Sequence, residues 1–239
     1  MFHSCILYIY MKVLIFDFET TGLSPTEIIH QDTLHQWPHA IQFSYVVYDT
    51  EKEKFAHRGI RDYIIKIPKD CVLTEESIQL HGITRAMSEK KGLNIEYVFS
   101  NFFYYVDNVD MLIGHNIQFD LNILKVELLR LIYSKDKSIA DKYYFKKYFH
   151  KIYTYPNIHC SMNYTKDLCN IEREYKNGTK YNKKPKLSEL HQKLFQCEAK
   201  QLHNSLCDVF ITLRCFMKYY FDKDIVEQKN MKCYYKNLI

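Results

Sequence analysis

The sequence predicts an α/β domain with a mixed five-stranded sheet flanked by helices. Three observations carry that expectation. An apolar run, Val13 to Phe16, opens a strand and is followed by two further strand-like stretches across a short charged turn, the pattern of an antiparallel hairpin. Beyond the hairpin, strand and helix periodicities alternate, which places helices against a sheet. The 239 residues are 47% hydrophobic with only 6 Gly and 5 Pro, enough core for one large domain and little material for linkers. The expected domain is single and runs over 11–225, with 1–10 as an N-terminal extension or short extra β element, 131–156 as an insertion and 226–239 as a C-terminal tail.

The first strand opens the stretch Val13 to Leu23 and runs out at Asp17 and Glu19, and Gly22 in Thr20-Thr21-Gly22 allows a sharp exit from it. Residues 24–39 read as a polar, His-rich loop closed by Trp37-Pro38-His39. Ile41–Asp49 and Lys54–Ile67 form the hairpin, with Thr50 to Glu53 as its turn and Pro68 as its stop. Thr74 is a fitting N-cap for a short helix to Leu80, with Glu75 and Glu76 at the positive end of its dipole and Gly82 beyond its end. A second helix covers 95–107. Met111–Asn116 is a short buried strand leading into a helix from Ile117 to Ile132, whose Ile117, Leu121, Leu124 and Leu128 fall on one stripe. Residues 133–156, rich in Lys, Tyr and Phe, read as an insertion or helical excursion, and Ile158–Met162 as the last strand. The polar, basic stretch 170–186 reads as a loop with a turn at Asn177-Gly178. Leu187–Phe195 and Ser205–Tyr220 are helical, the latter strongly amphipathic through Leu206, Val209, Phe210, Leu213, Met217 and Tyr220.

Composition excludes several classes. The longest apolar run, Cys5 to Phe16, is broken by Lys12 and is too short to span a bilayer. It also lacks the basic start and cleavage site of a signal peptide. The 8 cysteines are scattered, with no C-x-x-C pair for a zinc ribbon or redox motif. They read as reduced thiols of an intracellular protein, cytoplasmic or nuclear and not secreted. A net charge of +5 is compatible with a nucleic-acid partner without requiring one.

Chemistry concentrates at the end of the first strand. Asp17 and Glu19, two positions apart, point to the same side of a strand. Two carboxylates there suit hard cations, which take oxygen ligands. Three more candidates fall in fitting contexts: Asp120 in the first turn after Gly114-His115-Asn116, Asp208 at the start of the last long helix, and His203 five residues before it. Asp208 lies roughly opposite the apolar stripe of its helix and so can face a cleft. Each alone has an ordinary explanation as a solvated or helix-capping group. The ordered conjunction of D-x-E, H-N-x-x-F-D and H-x4-D is far rarer.

Here the sequence resembles a known family. FDFETTGL, GHNIQFDLNIL and HNSLCDVFIT are similar to the three motifs of the DEDDh (DnaQ-like) 3′→5′ exonucleases, the group that includes the proofreading ε-subunit of bacterial DNA polymerase III, RNase T and the three-prime repair exonucleases. Trp37-Pro38-His39-Ala40-Ile41-Gln42, His81-Gly82-Ile83-Thr84 and Lys186-Leu187-Ser188-Glu189-Leu190 are similar to further segments of that family, in family order over about residues 13–221. Asn204 stands where the branch with a tyrosine in its last motif would have that residue, so His203 fits the His-x4-Asp branch. The Asp-Thr pair usual on the last strand is missing from Ile158-His159-Cys160-Ser161-Met162. Cys207 also stands beside Asp208, where the family often has an acid.

The resemblance implies a ribonuclease H-like exonuclease fold and hydrolysis of phosphodiester bonds from 3′ ends to give nucleoside 5′-monophosphates. It implies two divalent cations, Mg²⁺ or Mn²⁺, held by Asp17, Glu19, Asp120 and Asp208, with His203 as general base. It implies a 3′-terminal subsite at Thr20, Thr21, Gly22 and Leu23, with Leu23 wedged against the last base, His81 and Phe119 lining the pocket and Asn116 orienting it. The expected partner is single-stranded DNA or RNA, with DNA slightly favoured as in proofreading or repair members; RNA end trimming is the alternative. A DNA polymerase is a candidate partner, no membrane is expected, and the chain is a monomer or a homodimer. A reading of another class is a non-catalytic nucleic-acid-binding or polymerase-accessory subunit, against which the complete set of five residues argues.

Overall fold

The structure is a computed structural model and describes residues 10–24 and 28–239. The N-terminal extension expected over 1–10 and part of the loop at 24–39 therefore lie largely outside the described residues. Five strands form one mixed sheet: β1 (Lys12–Thr20), β2 (Ala40–Asp49), β3 (Lys54–Ile64), β4 (Met111–Gly114) and β5 (Ile158–Cys160), in the order β3-β2-β1-β4-β5. β1 pairs antiparallel with β2 and parallel with β4, and β5 extends the parallel half.

The apolar start of β1 is explained by burial on both faces. Leu14, Phe16 and Phe18 enter one core, with α3 (Ile95–Val106) and α4 (Ile117–Tyr133). Val13 and Ile15 enter the other, with α8 (Leu187–Phe195) and α9 (Ser205–Phe221). The period-2 alternation of the strand thus divides its side chains between two helical layers. Asp17 and Glu19 continue the odd-numbered series and so belong to the α9 side. Ahead of these helices, Thr74 caps α1 (Glu75–His81) by accepting from the Ser77 N–H, and Gly82 closes it in the left-handed region at φ 73°.

Several elements depart from the sequence expectation. β3 ends at Ile64, three residues early, because the chain turns to make a single bridge between Ile65 and Leu93. An unexpected helix, α2 (Arg85–Lys91), is capped by Thr84. It ends at Gly92, where a Cβ would stand 2.2 Å from the Ser88 carbonyl oxygen and 2.7 Å from the Lys66 nitrogen. β5 stops at Cys160, and Ser161 begins the short α6 (Ser161–Tyr164), followed by α7 (Lys166–Cys169). The stretch 170–186 contains a two-stranded hairpin, β6 (Glu172–Glu174) and β7 (Lys180–Asn182). The segment 131–156 carries α5 (Ile139–Tyr153), whose Phe145, Tyr148 and Ile152 are core residues. The stretch expected as a tail packs as well: α10 (Lys232–Tyr235) buries Tyr235, whose hydroxyl donates to the Phe210 carbonyl at 2.9 Å. Apolar spacing in 225–239 is too short for a periodicity to show, so only its docking on α9 reveals it. Among the described residues, no helix is long and apolar enough to cross a membrane.

Candidate active site

The site is assembled at the C-terminal end of β1. There Asp17 lies opposite Ser44 and Glu19 opposite Gln42 on β2, and the register breaks between Glu19 and Thr20. Asp208 comes from the first turn of α9, whose N-cap Asn204 accepts from the Cys207 N–H. Ser205 docks this helix end on the sheet. Its hydroxyl donates to the Asp17 carbonyl at 2.6 Å, and its N–H donates to Gln42 Oε1 at 3.3 Å. Gln42 in turn donates to Asp62 at 2.8 Å. The result brings ligand atoms of Asp17, Glu19 and Asp208 within 4.8 Å of one another.

Asp120 arrives from the other helical layer. The β4 ladder on β1 stops at Ile15, leaving the Phe18 N–H beyond it, and Asp120 Oδ1 accepts from that N–H at 3.0 Å. The turn into α4 is tight enough that a Cβ on Gly114 would stand 3.0 Å from the Ile117 Cβ, and Asn116 takes the left-handed region at φ 63°. Asp120 is 2% exposed and Glu19 8%.

Four acids brought so close, with little solvent between them and the core, repel one another. Burial, and then the charges of Asp120, Asp208 and Glu19, push the Asp17 carboxyl well above the usual carboxylate range. Burial and Asp208 raise Glu19 to about 8. Burial raises Asp208 to about 7, opposed by the N–H of His203. Asp120 is raised by burial, with the Phe18 N–H opposing. Among the described residues, no Lys or Arg forms an ion pair with any of the four. Asp208 Oδ1 is buried without a hydrogen-bond partner. Hard oxygen donors, mutual repulsion, and a buried oxygen left unpaired together fit a divalent cation.

His203 precedes α9 in a left-handed backbone conformation, φ 68°, and its N–H donates to Asp208 Oδ2 at 3.3 Å. The ring itself is exposed and makes no hydrogen bond or ion pair among the described residues. Backbone contact therefore ties His203 to the acidic cluster, while the imidazole stands free at its edge.

The loop after Glu19 is held from three directions. Thr20 donates to the Gly22 carbonyl at 2.7 Å. The Thr21 N–H donates to the His39 carbonyl at 2.9 Å, and Thr21 Oγ1 accepts from the His39 N–H at 3.0 Å. The Thr74 N–H donates to the Thr21 carbonyl at 3.2 Å. Leu23 is 90% exposed beyond these anchors. A cavity of about 430 Å³ adjoins the loop, lined by Thr21, Leu23, Trp37, His39 and Thr74 among others. His81 Nδ1 accepts from the Ile83 N–H at 3.0 Å, so in the neutral ring Nε2 carries the proton. Burial lowers the pKa of His81, and Nε2 is buried without a hydrogen-bond partner of good geometry. Asn116 is exposed and its side chain does not cap α4. Phe119 is half-buried against the α3–α4 core.

Two supporting networks escape a reading of the sequence. Glu127 and Arg130 on α4 grip the segment leading to His39: Arg130 donates to the carbonyls of Leu34, Trp37 and Pro38, and Glu127 accepts from the Ala40 N–H at 3.0 Å. His115 Nε2 donates to the Pro185 carbonyl at 3.0 Å, and Nδ1 accepts from the Ser161 hydroxyl at 2.9 Å. Burial lowers its pKa to about 4, so this ring is a neutral strut between β4, β5 and α8. An E-x-x-R pair and a lone histidine are too common for either role to be visible before folding.

Comparison with known proteins agrees with this geometry. Residues 14–216 match the family model of the RNase T exonucleases. Among solved structures, the chain is similar to Escherichia coli exonuclease I in complex with a dA16 oligonucleotide, with 16% identity and a TM-score of 0.58 over 90% of this chain and 42% of that one. The same enzyme with a dT13 oligonucleotide gives 19% identity and a TM-score of 0.56, over 88% and 42%. A product-bound exonuclease I gives 16% and 0.57, over 91% and 46%. At such identities the likeness is one of fold, and the chain spans less than half the length of these relatives. No curated protein sequence matches the chain significantly. With the family model matched over residues 14–216, from the first strand of the sheet into α9, the chain belongs to the RNase T exonuclease family.

Proposed function

We propose that the chain is a divalent-metal-dependent exonuclease that removes nucleoside 5′-monophosphates from the 3′ ends of single-stranded nucleic acid, with DNA slightly favoured over RNA. The observation that carries this reading is the half-buried acidic cluster with the orphaned Asp208 oxygen, in a chain of an exonuclease family. The oligonucleotides in the similar exonuclease I structures support a single-stranded substrate.

Asp17, Glu19 and Asp208 would hold Mg²⁺ or Mn²⁺, with Asp120 completing the set from the α4 side. Bound there, divalent cations supply Lewis acidity to the scissile phosphate and lower the pKa of an attacking water. The chain's own residues do the rest. Asp120 and Ser205 fix the two sides of β1, through the Phe18 N–H and the Asp17 carbonyl, so the carboxylates are placed before substrate arrives. The imidazole of His203, free at the edge of the cluster, takes the proton from the nucleophile. The anchored Thr20–Gly22 backbone and the exposed Leu23 receive the terminal sugar and base, and the Nε2–H of His81 offers a donor beside them. Such contacts read sugar and phosphate more than base identity, so sequence selectivity is low.

The test is incubation of 5′-labelled single-stranded DNA and RNA with Mg²⁺ or Mn²⁺. The reading expects a ladder shortening from the 3′ end that disappears in Asp17→Ala. No cleavage of either polymer with any divalent ion, or cleavage retained in that variant, overturns it.

A further inference from the structure

The outer edge of the sheet carries a second feature that the site above does not use. Between β3 and α3 lies a groove of about 750 Å³. One wall is α3, which buries Val98, Phe99, Phe102, Phe103 and Val106 in the core. The residues it turns to the groove include Tyr97, Asn101 and Tyr104, spaced to share one helical face. The two tyrosines are 57% and 66% exposed, so the core does not account for them. The other wall is β3, which supplies Arg58 and Arg61, and Lys12 at the start of β1 also lines the groove. No Asp or Glu lines the groove. Neither arginine has a carboxylate partner among the described residues. The walls are fixed to each other, since the Tyr105 hydroxyl donates to the His57 carbonyl at 2.7 Å. Arg58 is presented from a left-handed backbone position, φ 54°.

Unpaired cations interleaved with exposed aromatic rings and side-chain amides have a specific complement: a polyanion whose units carry flat faces. Guanidinium groups take phosphates, and tyrosine faces take bases of any sequence. We propose that this groove is an exosite for the single strand upstream of the 3′ end being trimmed. The proposal rests on the nucleic-acid reading of the active site and adds to it where the body of the substrate lies. Its placement sets a length. Lys12 is five and seven strand residues from Asp17 and Glu19, roughly 16–23 Å at about 3.3 Å per residue. Because α3 walls the groove on one side of the sheet and the acids lie on the α9 side, a strand rising about 3.4 Å per nucleotide needs at least roughly five to seven nucleotides to pass from one to the other. Short substrates occupy the active site alone; longer ones reach the groove as well.

The experiment compares a trinucleotide with a single strand of about 20 nucleotides, long enough by that spacing to reach the groove. It uses wild type, Arg58→Glu/Arg61→Glu and Tyr97→Ala/Tyr104→Ala, with KM and kcat by cleavage, affinity by fluorescence anisotropy without Mg²⁺ or Mn²⁺, and Tm for each. The proposal expects the charge reversal to raise KM and Kd for the long strand about tenfold or more, with a shallower salt dependence. It expects kcat and all trinucleotide parameters to stay as in wild type. Equal effects on both lengths, or none on the long strand, overturn it. A lowered Tm with unchanged length dependence assigns the groove to a segment of the chain itself and also overturns it. If wild type cleaves neither length, the exonuclease reading fails, and the anisotropy series still decides whether the groove binds the strand.

Discussion

Replacing Asp208 by Asn should make the metal-free protein more stable while removing its activity. Asp208 is raised by burial from 3.8 to about 7. Its folded pKa lies above its unfolded one, so the folded state holds its proton more tightly. Stability is therefore lost as pH rises from about 4 through about 7, and the full cost is present above that window. At about 1.4 kcal/mol for each tenfold change in proton affinity, that rise sets a ceiling of about 4 kcal/mol. Asn cannot ionise, so it escapes that cost. Asn can keep the hydrogen bond from the His203 N–H through its amide oxygen, and solvent at the partly exposed side chain brings the expected gain to about 2 kcal/mol at pH 8. For a chain of this size that is roughly 4–8 °C in Tm. The assay is thermal unfolding of both proteins in EDTA at pH 5 and pH 8, repeated with saturating Mg²⁺. In EDTA the variant should lead at pH 8 and keep only about a third of that lead at pH 5, inside the window. With Mg²⁺ the order at pH 8 should reverse, because only the wild type gains the full binding energy, about 2.7 kcal/mol at a hundredfold excess over Kd. A variant less stable than wild type in EDTA at pH 8, or one that gains as much from Mg²⁺, refutes this account of the cluster.

Three other perturbations separate the parts of the site. His203→Ala should keep the Mg²⁺-induced rise in Tm but lose about 10²–10⁴ in kcat, and equal turnover would remove His203 as base. Ser205→Ala deletes the donor to the Asp17 carbonyl, so about 1 kcal/mol of stability and a larger share of kcat than of KM should go; unchanged kinetics would mean that β1 holds Asp17 unaided. His159, buried and stacked on Tyr164 at 4.5 Å, has its pKa lowered to about 4. It contributes stability present above about pH 6.5 and lost as pH falls through about 4, with a ceiling near 3 kcal/mol. His159→Phe should flatten that acid limb in a pH series of urea unfolding, and an unchanged limb would assign acid sensitivity elsewhere.

What the sequence disclosed and what it hid follow from the range of the forces involved. β1, the hairpin β2–β3, α4 and α9 were legible because each buries a face and so imprints a period on the chain. Asp17, Glu19, Asp120 and Asp208 stood out as candidates only together, through their ordered spacing with His203 and the resemblance to the family motifs, since each alone reads as a solvated or helix-capping acid. The hairpin β6–β7 was not legible: its residues are largely exposed, so no apolar alternation marks it, and only the turn at Asn177-Gly178 showed. The docking of 231–238 was hidden for the opposite reason, since Met231, Tyr235 and Leu238 complete a core that exists only once α9 is in place. The Arg130 grip on Leu34, Trp37 and Pro38 joins residues more than 90 positions apart through backbone carbonyls, which no side-chain pattern records.

The central claim is that Asp17, Glu19, Asp120 and Asp208 form a cation site kept partly protonated until metal arrives. Calorimetric titration of Mn²⁺ into the metal-free protein at pH 7, in buffers of different ionisation enthalpy, tests it most directly. The account predicts saturable binding accompanied by proton release, with both lost in Asp17→Asn. Absence of Mn²⁺ binding, or binding that survives in Asp17→Asn with no protons released in either protein, would contradict it.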